Sequence, residues 1–426
     1  MINKKISKVL GPILGIMGFM LATGVSEAPV LASGNGQANV AYTNSTTAAA
    51  VMYKDYSVNI NKSAEQNGVK VTIDKAIATK HKLKVTVKIE SDKPFDTDKL
   101  DNSVIQVTFG ENYCNGRSWS YDYPDDKTMV ATIEQHDYKN EFLEKGNLRV
   151  DAVLSNYKVN VGIDAAVDFS ECFKNTIEKD ISSKMPKSDC TLNKLETSVM
   201  GTIIDYSEPY KDDSENNKDF IKSSMILKVG DKMYKIRAAG SRSSEEDNVM
   251  SGTYEAKAAT YDRVKDQKDI SIIPVVSSMS YDDLEKIYKQ NSENESNNKK
   301  DANKETTNNV SYEKSFEFSD GSKGEIYNIE RNDNSVKVYC KGTSDKESLL
   351  MASNMNMYYQ NEEDKKNQIR YDSNSSMSFY KDSKDKLGYV VEFDNVEKDK
   401  VVNLNIDNMV KQIDKFEIGD EIQISK

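Results

Sequence analysis

The sequence predicts an all-β chain of two to three immunoglobulin-like antiparallel β-sandwich modules in tandem, preceded by an N-terminal signal or anchor helix. Three observations carry that prediction. Short segments alternate apolar and polar residues with a period of two, as in Val69-Lys70-Val71-Thr72-Ile73 and Leu83-Lys84-Val85-Thr86-Val87-Lys88-Ile89. Such alternation marks strands with one buried and one wet face. Turn signals punctuate them, at Asn67-Gly68, Gly230-Asp231 and Asp320-Gly321. Finally, one layout of strand, polar turn and alternating strand recurs at residues 71–89, 192–206 and 326–340. A repeat of that kind points to copies of one module rather than one large fold.

Residues 1–32 read as a signal peptide or membrane anchor. Lys4, Lys5 and Lys8 precede an uncharged apolar stretch over residues 9–25. Val30-Leu31-Ala32 then places small residues where signal cleavage needs them, with Ser33 following. The alternative cut after Ala28 meets Pro29. Seventeen residues interrupted by Gly11, Pro12, Gly15 and Gly18 are at the short limit for a membrane span, so cleavage is the expected outcome. No Cys lies near the cut, which excludes a lipoprotein. The bulk of the chain is therefore expected outside the cytoplasm, extracellular or in the cell envelope. It would touch the membrane only through an uncleaved N-terminal segment.

Residues 33–52 are rich in Gly, Asn, Thr and Ala and read as a flexible spacer. The first module occupies 53–175. Beyond the two alternating strands, it has candidates at 104–109, 119–123, 129–133, 148–154 and 159–169, a sandwich-like density. Residues 173–189 read as a helical or irregular connector. The second module spans 189–289, with strand material at 192–207, 226–229, 233–236, 253–261 and 270–276. Ser280 and Asp283 form a capping box for a short helix over 281–288. Residues 290–309 lack aromatics and read as a disordered polar linker. The third module spans 310–426, with strands at 316–318, 326–329, 336–340, 377–380, 390–393, 402–406 and 416–424.

The 426 residues carry a formal net charge of −11. A nucleic-acid partner is excluded on that balance, because phosphate binding needs surplus Lys and Arg. No cofactor motif is present. The four cysteines are Cys114, Cys172, Cys190 and Cys340, and their spacing fits no zinc site. Cys172 and Cys190 flank the connector and are the candidate disulfide; the alternative is four buried or idle thiols. Only two histidines exist, His81 and His136, and neither accompanies a nucleophile motif. Asp96 and Asp98 offer carboxylates for calcium, against the simpler reading of a solvated acidic turn.

Arg117, Trp119, Tyr121 and Tyr123 alternate, so they share one side of a strand. Facing outward, they form an aromatic platform on which sugars or peptides stack. Burial is the expected arrangement for large rings, and it is the arrangement favoured here. Tyr358-Tyr359 is a weaker candidate, with its rings on opposite faces.

The run Ser57-Val58-Asn59-Ile60-Asn61-Lys62-Ser63, the stretch Asn67-Gly68-Val69-Lys70-Val71-Thr72-Ile73-Asp74-Lys75-Ala76, Leu83-Lys84-Val85 and the later Asp125-Asp126-Lys127-Thr128 together resemble a bacterial domain family of unknown function, number 4179 in its series. Residues 192–276 are similar to an immunoglobulin-like domain often found behind it. The resemblance covers roughly residues 1–290. It implies the outer portion of membrane regulators of extracytoplasmic-function sigma factors in low-GC Gram-positive bacteria. Those regulators carry a cytoplasmic anti-sigma bundle, often with a His/Cys zinc site, before the span. Here only eight residues, without Cys or His, precede the apolar run, too few to fold. The resemblance transfers no catalytic residues. The leading expectation is a non-enzymatic exported protein that binds an unknown protein or cell-wall glycan. A membrane-tethered sensor is the alternative, and a secreted hydrolase with an unrecognised site the second.

Overall fold

A computed structural model describes residues 42–44, 56–96, 103–110, 116–137, 140–210, 223–244, 248–280, 282–287, 289, 304–359, 370–372, 376–396, 398 and 400–425. The expected signal segment, Asp98 and Cys114 lie outside the described residues. The architecture is all-β, in several sheets joined mostly by antiparallel pairing. Strand β1 (Tyr42–Asn44) lies within the expected spacer.

The first module contains β2 (Val58–Gln66), β3 (Val69–Ala78), β4 (Lys82–Ser91), β5 (Ser103–Phe109), β6 (Gly116–Asp125), β7 (Thr128–His136), β8 (Lys145–Leu154) and β9 (Val159–Asp168). They form a five-stranded sheet, β2-β3-β4-β7-β6, facing a three-stranded one, β5-β8-β9. The core is built from alternate residues: Val69, Val71 and Ile73 of β3, Val85, Val87 and Ile89 of β4, Leu148 and Val150 of β8. Asn67, at φ 53°, and Gly68, at φ 74°, make the left-handed turn between β2 and β3.

The second module starts earlier than the sequence suggests. Residues 177–184 form β10 (Ile177–Lys184), not a helical or irregular connector. Their apolar residues are only Ile177 and Ile181, so period-two reading misses the strand; pairing with β11 makes it. Next come β11 (Thr191–Ser198), β12 (Gly201–Pro209), β13 (Ser223–Val229), β14 (Lys232–Ser244), β15 (Val249–Ala256) and β16 (Ile270–Ser277). Long β14 changes partner along its length: Lys232–Ile236 pair with β13, and from Arg237 onward it pairs with β15, with a bulge between Ala238 and Gly240 just past the change. Bulges are the usual means by which a strand turns such a corner. Gly252 opposite the bulge is required, since a Cβ there would meet the Gly240 carbonyl at 2.5 Å.

The third module comprises β17 (Lys304–Thr307), β18 (Val310–Glu313), β19 (Ser315–Glu317), β20 (Lys323–Arg331), β21 (Ser335–Lys341), β22 (Met355–Tyr359), β23 (Arg370–Asp372), β24 (Met377–Lys381), β25 (Tyr389–Asp394) and β26 (Val402–Ile406). β17 falls inside the expected linker and hairpins with β18. Residues 345–353, unassigned from the sequence, form a helix capped by a reciprocal Ser344–Glu347 box. Its Leu350, Met351 and Ala352 are buried in the same core as both sheets of this module. Among the described residues two pairings are parallel, β18 with β26 and β1 with β23.

The modules are not separate beads. Met233 of β14 pairs with Phe379 of β24, which runs one sheet from module two into module three. Strands β27 (Phe416–Ile418) and β28 (Ile422–Ser425) leave the third module and pair with β16. Val199 and Met200 of module two complete the core of module one. The Ser280–Asp283 box is present, at 3.1 and 3.2 Å, and residues 282–287 are helical.

Candidate functional site

The aromatic row is on the surface, against the burial expected from ring size. Trp119 is 51% exposed, Tyr123 43% and Tyr121 37%, and Arg117 is exposed as well. Among the described residues only seven large hydrophobic side chains are exposed, so three on one strand is a concentration. The topology explains it. β6 is the end strand of the five-stranded sheet. Trp119 stands opposite Ile133 and Tyr121 opposite Ala131, both buried, so these rings lie on the core-facing side of the sheet. The opposing sheet has only three strands. Its β5 lies under β7, where the Gln135 side chain donates to the Val107 carbonyl at 2.8 Å. β6 projects beyond that edge, and its inner face meets water instead of a core. Sequence alone cannot reveal such an overhang, because it depends on the strand count of the facing sheet.

Among the described residues, β6 is also paired on one side only. The Ser91 amide donates to the Lys127 carbonyl at 2.9 Å, and the Asp137 amide to the His81 carbonyl at 3.0 Å. With no register shift between β4 and β7, the odd-numbered residues of β7 bond β4 and the even-numbered ones bond β6. The pairing of Ser118 with Glu134 and Ser120 with Thr132 then assigns the even residues of β6 to β7. Arg117, Trp119 and Tyr121 therefore turn their N–H and C=O groups away from the sheet. A bulge follows between Asp122 and Asp125, with Pro124 inside it, and ends the regular edge.

The histidines lie elsewhere, both at the junction of modules one and two. His81 Nε2 is 3.5 Å from Glu196 and its Nδ1 is 2.9 Å from the Asp137 carbonyl. His136 Nε2 is 3.4 Å from Glu134, which also faces Lys257 at 3.9 Å. Beside them Lys82 is bonded to Glu255, both buried. Burial works against ionisation of Glu134, but Lys257, His136, Lys84 and Lys82 together hold its carboxyl below the ordinary range. Burial lowers His136 and draws Lys84 down to about 8. Lys80 and Lys194 share Glu178, each at 2.8 Å. These groups latch two modules together.

Cys172 and Cys190 do not pair. Cys172 is a free thiol in the core of module one and Cys190 a free thiol in the core of module two. β10 between them carries the chain from one core to the other, which the expected irregular connector concealed. Burial pushes Cys172 up to about 11 and Cys190 up to about 12, so neither thiolate forms near neutrality. Cys340 is buried too. Iodoacetamide applied to the native protein is expected to leave all three unlabelled and to modify them after unfolding. Recovery of a Cys172–Cys190 linked peptide would contradict this arrangement.

Asp96 takes part in a backbone contact, its amide donating to the Tyr157 hydroxyl at 2.8 Å. Tyr358 and Tyr359 are half-buried in β22, and Lys400 lies 4.9 Å from the Tyr359 ring.

Residues 2–91 match the family described as a domain of unknown function, DUF4179. The DUF4179 match ends at Ser91, the last residue of β4. It takes in His81 and Lys82 at the junction and stops before β6, so the aromatic row lies outside it. No curated protein matches the chain. Among solved structures, the conserved domain protein from Bacillus anthracis is 20% identical over 53% of this chain and 79% of that one, with a TM-score of 0.39.

Proposed function

We propose that the chain is an exported, non-enzymatic binding protein of the cell envelope or extracellular space, with Arg117, Trp119, Tyr121 and Tyr123 as its contact face. One observation carries the reading: large rings lie in water along the open edge of a sandwich. Exposed aromatic rows rimmed by polar residues are characteristic of interaction sites, and Trp, Tyr and Arg are the residue types that dominate binding energy there. Ser118 and Ser120 supply a small polar opposite face.

Trp119→Ala is expected to weaken retention on isolated envelope material at least about tenfold, the equivalent of ~1.4 kcal/mol. Its exposure makes an effect on folding small, so the circular dichroism and melting temperature should match the parent. Equal retention by parent and variant would remove this face from the function.

The DUF4179 match runs through the apolar segment at residues 9–25, which favours a second reading, a membrane-tethered extracytoplasmic sensor. N-terminal sequencing of the native protein separates the two: a start at Ser33 supports release, an intact Met1–Lys8 supports tethering.

A further inference from the structure

We infer that the β6 edge accepts an extended polypeptide by strand addition along Arg117–Tyr121, a reading that rests on the contact face proposed above and names its ligand class. The long edges of the neighbouring sheets are guarded. β2 is broken by a bulge between Asn59 and Lys62, where Asn61 has φ 51°. β10 is broken between Asp180 and Ser183, where Ser182 has φ 51°. On β9, the Asn160 amide is already taken by the Gln66 side chain at 2.6 Å, and Lys62 bonds the Asp164 carbonyl at 2.5 Å. On β5, Gln135 occupies the Val107 carbonyl. Bulges and side-chain cover are the means by which sandwiches avoid unwanted strand pairing. β6 has its bulge and proline only after Asp122, which leaves the preceding residues regular.

The open segment is matched to a peptide in spacing as well as in hydrogen bonding. Its outward backbone groups belong to Arg117, Trp119 and Tyr121, the residues whose side chains form the row. These side chains repeat at ~7 Å along the strand, the two-residue repeat of any β-strand. A strand added here would bond the three residues directly and set its own alternate side chains ~5.5 Å from theirs. Apolar residues would then cover Trp119 and Tyr121, and an acidic residue would meet the Arg117 guanidinium. A glycan would use the rings alone and leave that hydrogen-bonding ladder unpaired.

The test uses the full-length protein and a displayed library of random linear twelve-residue peptides. Selected sequences are resynthesised in two forms, N-methylated at the odd or at the even residues spanning the contact. One form should bind at least tenfold more weakly and the other within about twofold, because only one set of amides faces β6. Amide exchange at Trp119 and Tyr121 should slow on binding, and Trp119→Pro should lose more affinity than Trp119→Ala. Equal binding by both N-methylated forms would overturn strand addition. If no peptide is selected while Trp119→Ala still loses envelope material, strand addition falls and the aromatic contact face stands, with a glycan as its ligand. If Trp119→Ala changes neither binding, both readings fall.

Discussion

Lys82→Ala is expected to destabilise the junction of modules one and two by ~3–5 kcal/mol, the usual cost of stranding one member of a buried ion pair. Lys82 is 2% exposed and Glu255 8%. The ammonium donates to the Glu255 carboxylate and lies 3.5 Å from the Met200 carbonyl, so it ties β4 to two segments of module two. In the variant, Glu255 retains Lys257 as a neighbouring cation but loses its direct partner. The penalty should depend on pH. Burial opposes ionisation of Glu255, yet Lys82 and Lys257 outweigh it and keep the carboxyl below its ordinary 4.5. A depressed carboxyl contributes stability above its unfolded pKa and loses that contribution as pH falls through the folded one. Removing Lys82 takes away the largest of the attractions that depress it, so parent and variant should converge as pH drops below 4.5. Urea denaturation followed at neutral pH and again near pH 4 would read both effects. The pair Lys82→Met with Glu255→Leu should recover most of the loss, since apolar replacements leave no charge to compensate. A neutral-pH loss below ~1 kcal/mol for Lys82→Ala would mean that the junction opens to water and that the pair is not structural.

Lys82 also marks the limit of two-residue alternation as a guide to burial. In Lys82-Leu83-Lys84-Val85-Thr86-Val87, alternation correctly predicts β4 and its inward Leu83, Val85 and Val87, all buried. The same alternation predicts wet lysines, and Lys82 and Lys84 are buried instead because module two packs against the outer face of the strand. Period two reports one sheet and is blind to a second layer added by a distant part of the chain. The aromatic row departs from expectation in the opposite sense: its side of the strand is the core-facing one, as the pairing of Trp119 with Ile133 establishes, but among the described residues no core covers it. The helix at 345–353 carries its start signal in the sequence, the Ser344–Glu347 capping box, but no periodicity to extend it. Its Leu349, Leu350, Met351 and Ala352 form a continuous apolar block without helical period, as expected of a helix enclosed by sheets on more than one side.

Deleting residues 416–426 is expected to destabilise module two by ~3–5 kcal/mol, more than it disturbs the module that immediately precedes it in the chain. β27 pairs Phe416 with Ser277 and Ile418 with Val275; β28 pairs Ile422 with Ile272. Between them, the Gly419 amide donates to the Pro274 carbonyl at 2.9 Å. Ile422 and Ile424 pack on the core of module two, and Phe416 and Ile418 on the core shared with module three. Each half-buried side chain contributes on the order of 1 kcal/mol, and the unpaired edge of β16 adds to the loss. That edge reads Ile270-Ser271-Ile272-Ile273-Pro274-Val275-Val276, uncharged and β-branched, with one proline as its only guard. Exposed, it is a template for intermolecular pairing. The truncated protein should therefore show faster amide exchange at Ile270 and Ile272, a lower urea midpoint and concentration-dependent aggregation. Replacing Ile422 and Ile424 together by Ser, with the backbone ladder kept, should reproduce the loss of stability but aggregate less, because β28 can still cover the edge. Undiminished protection of β16 in the truncated protein would show that module two holds this strand unaided, through its pairing with β13.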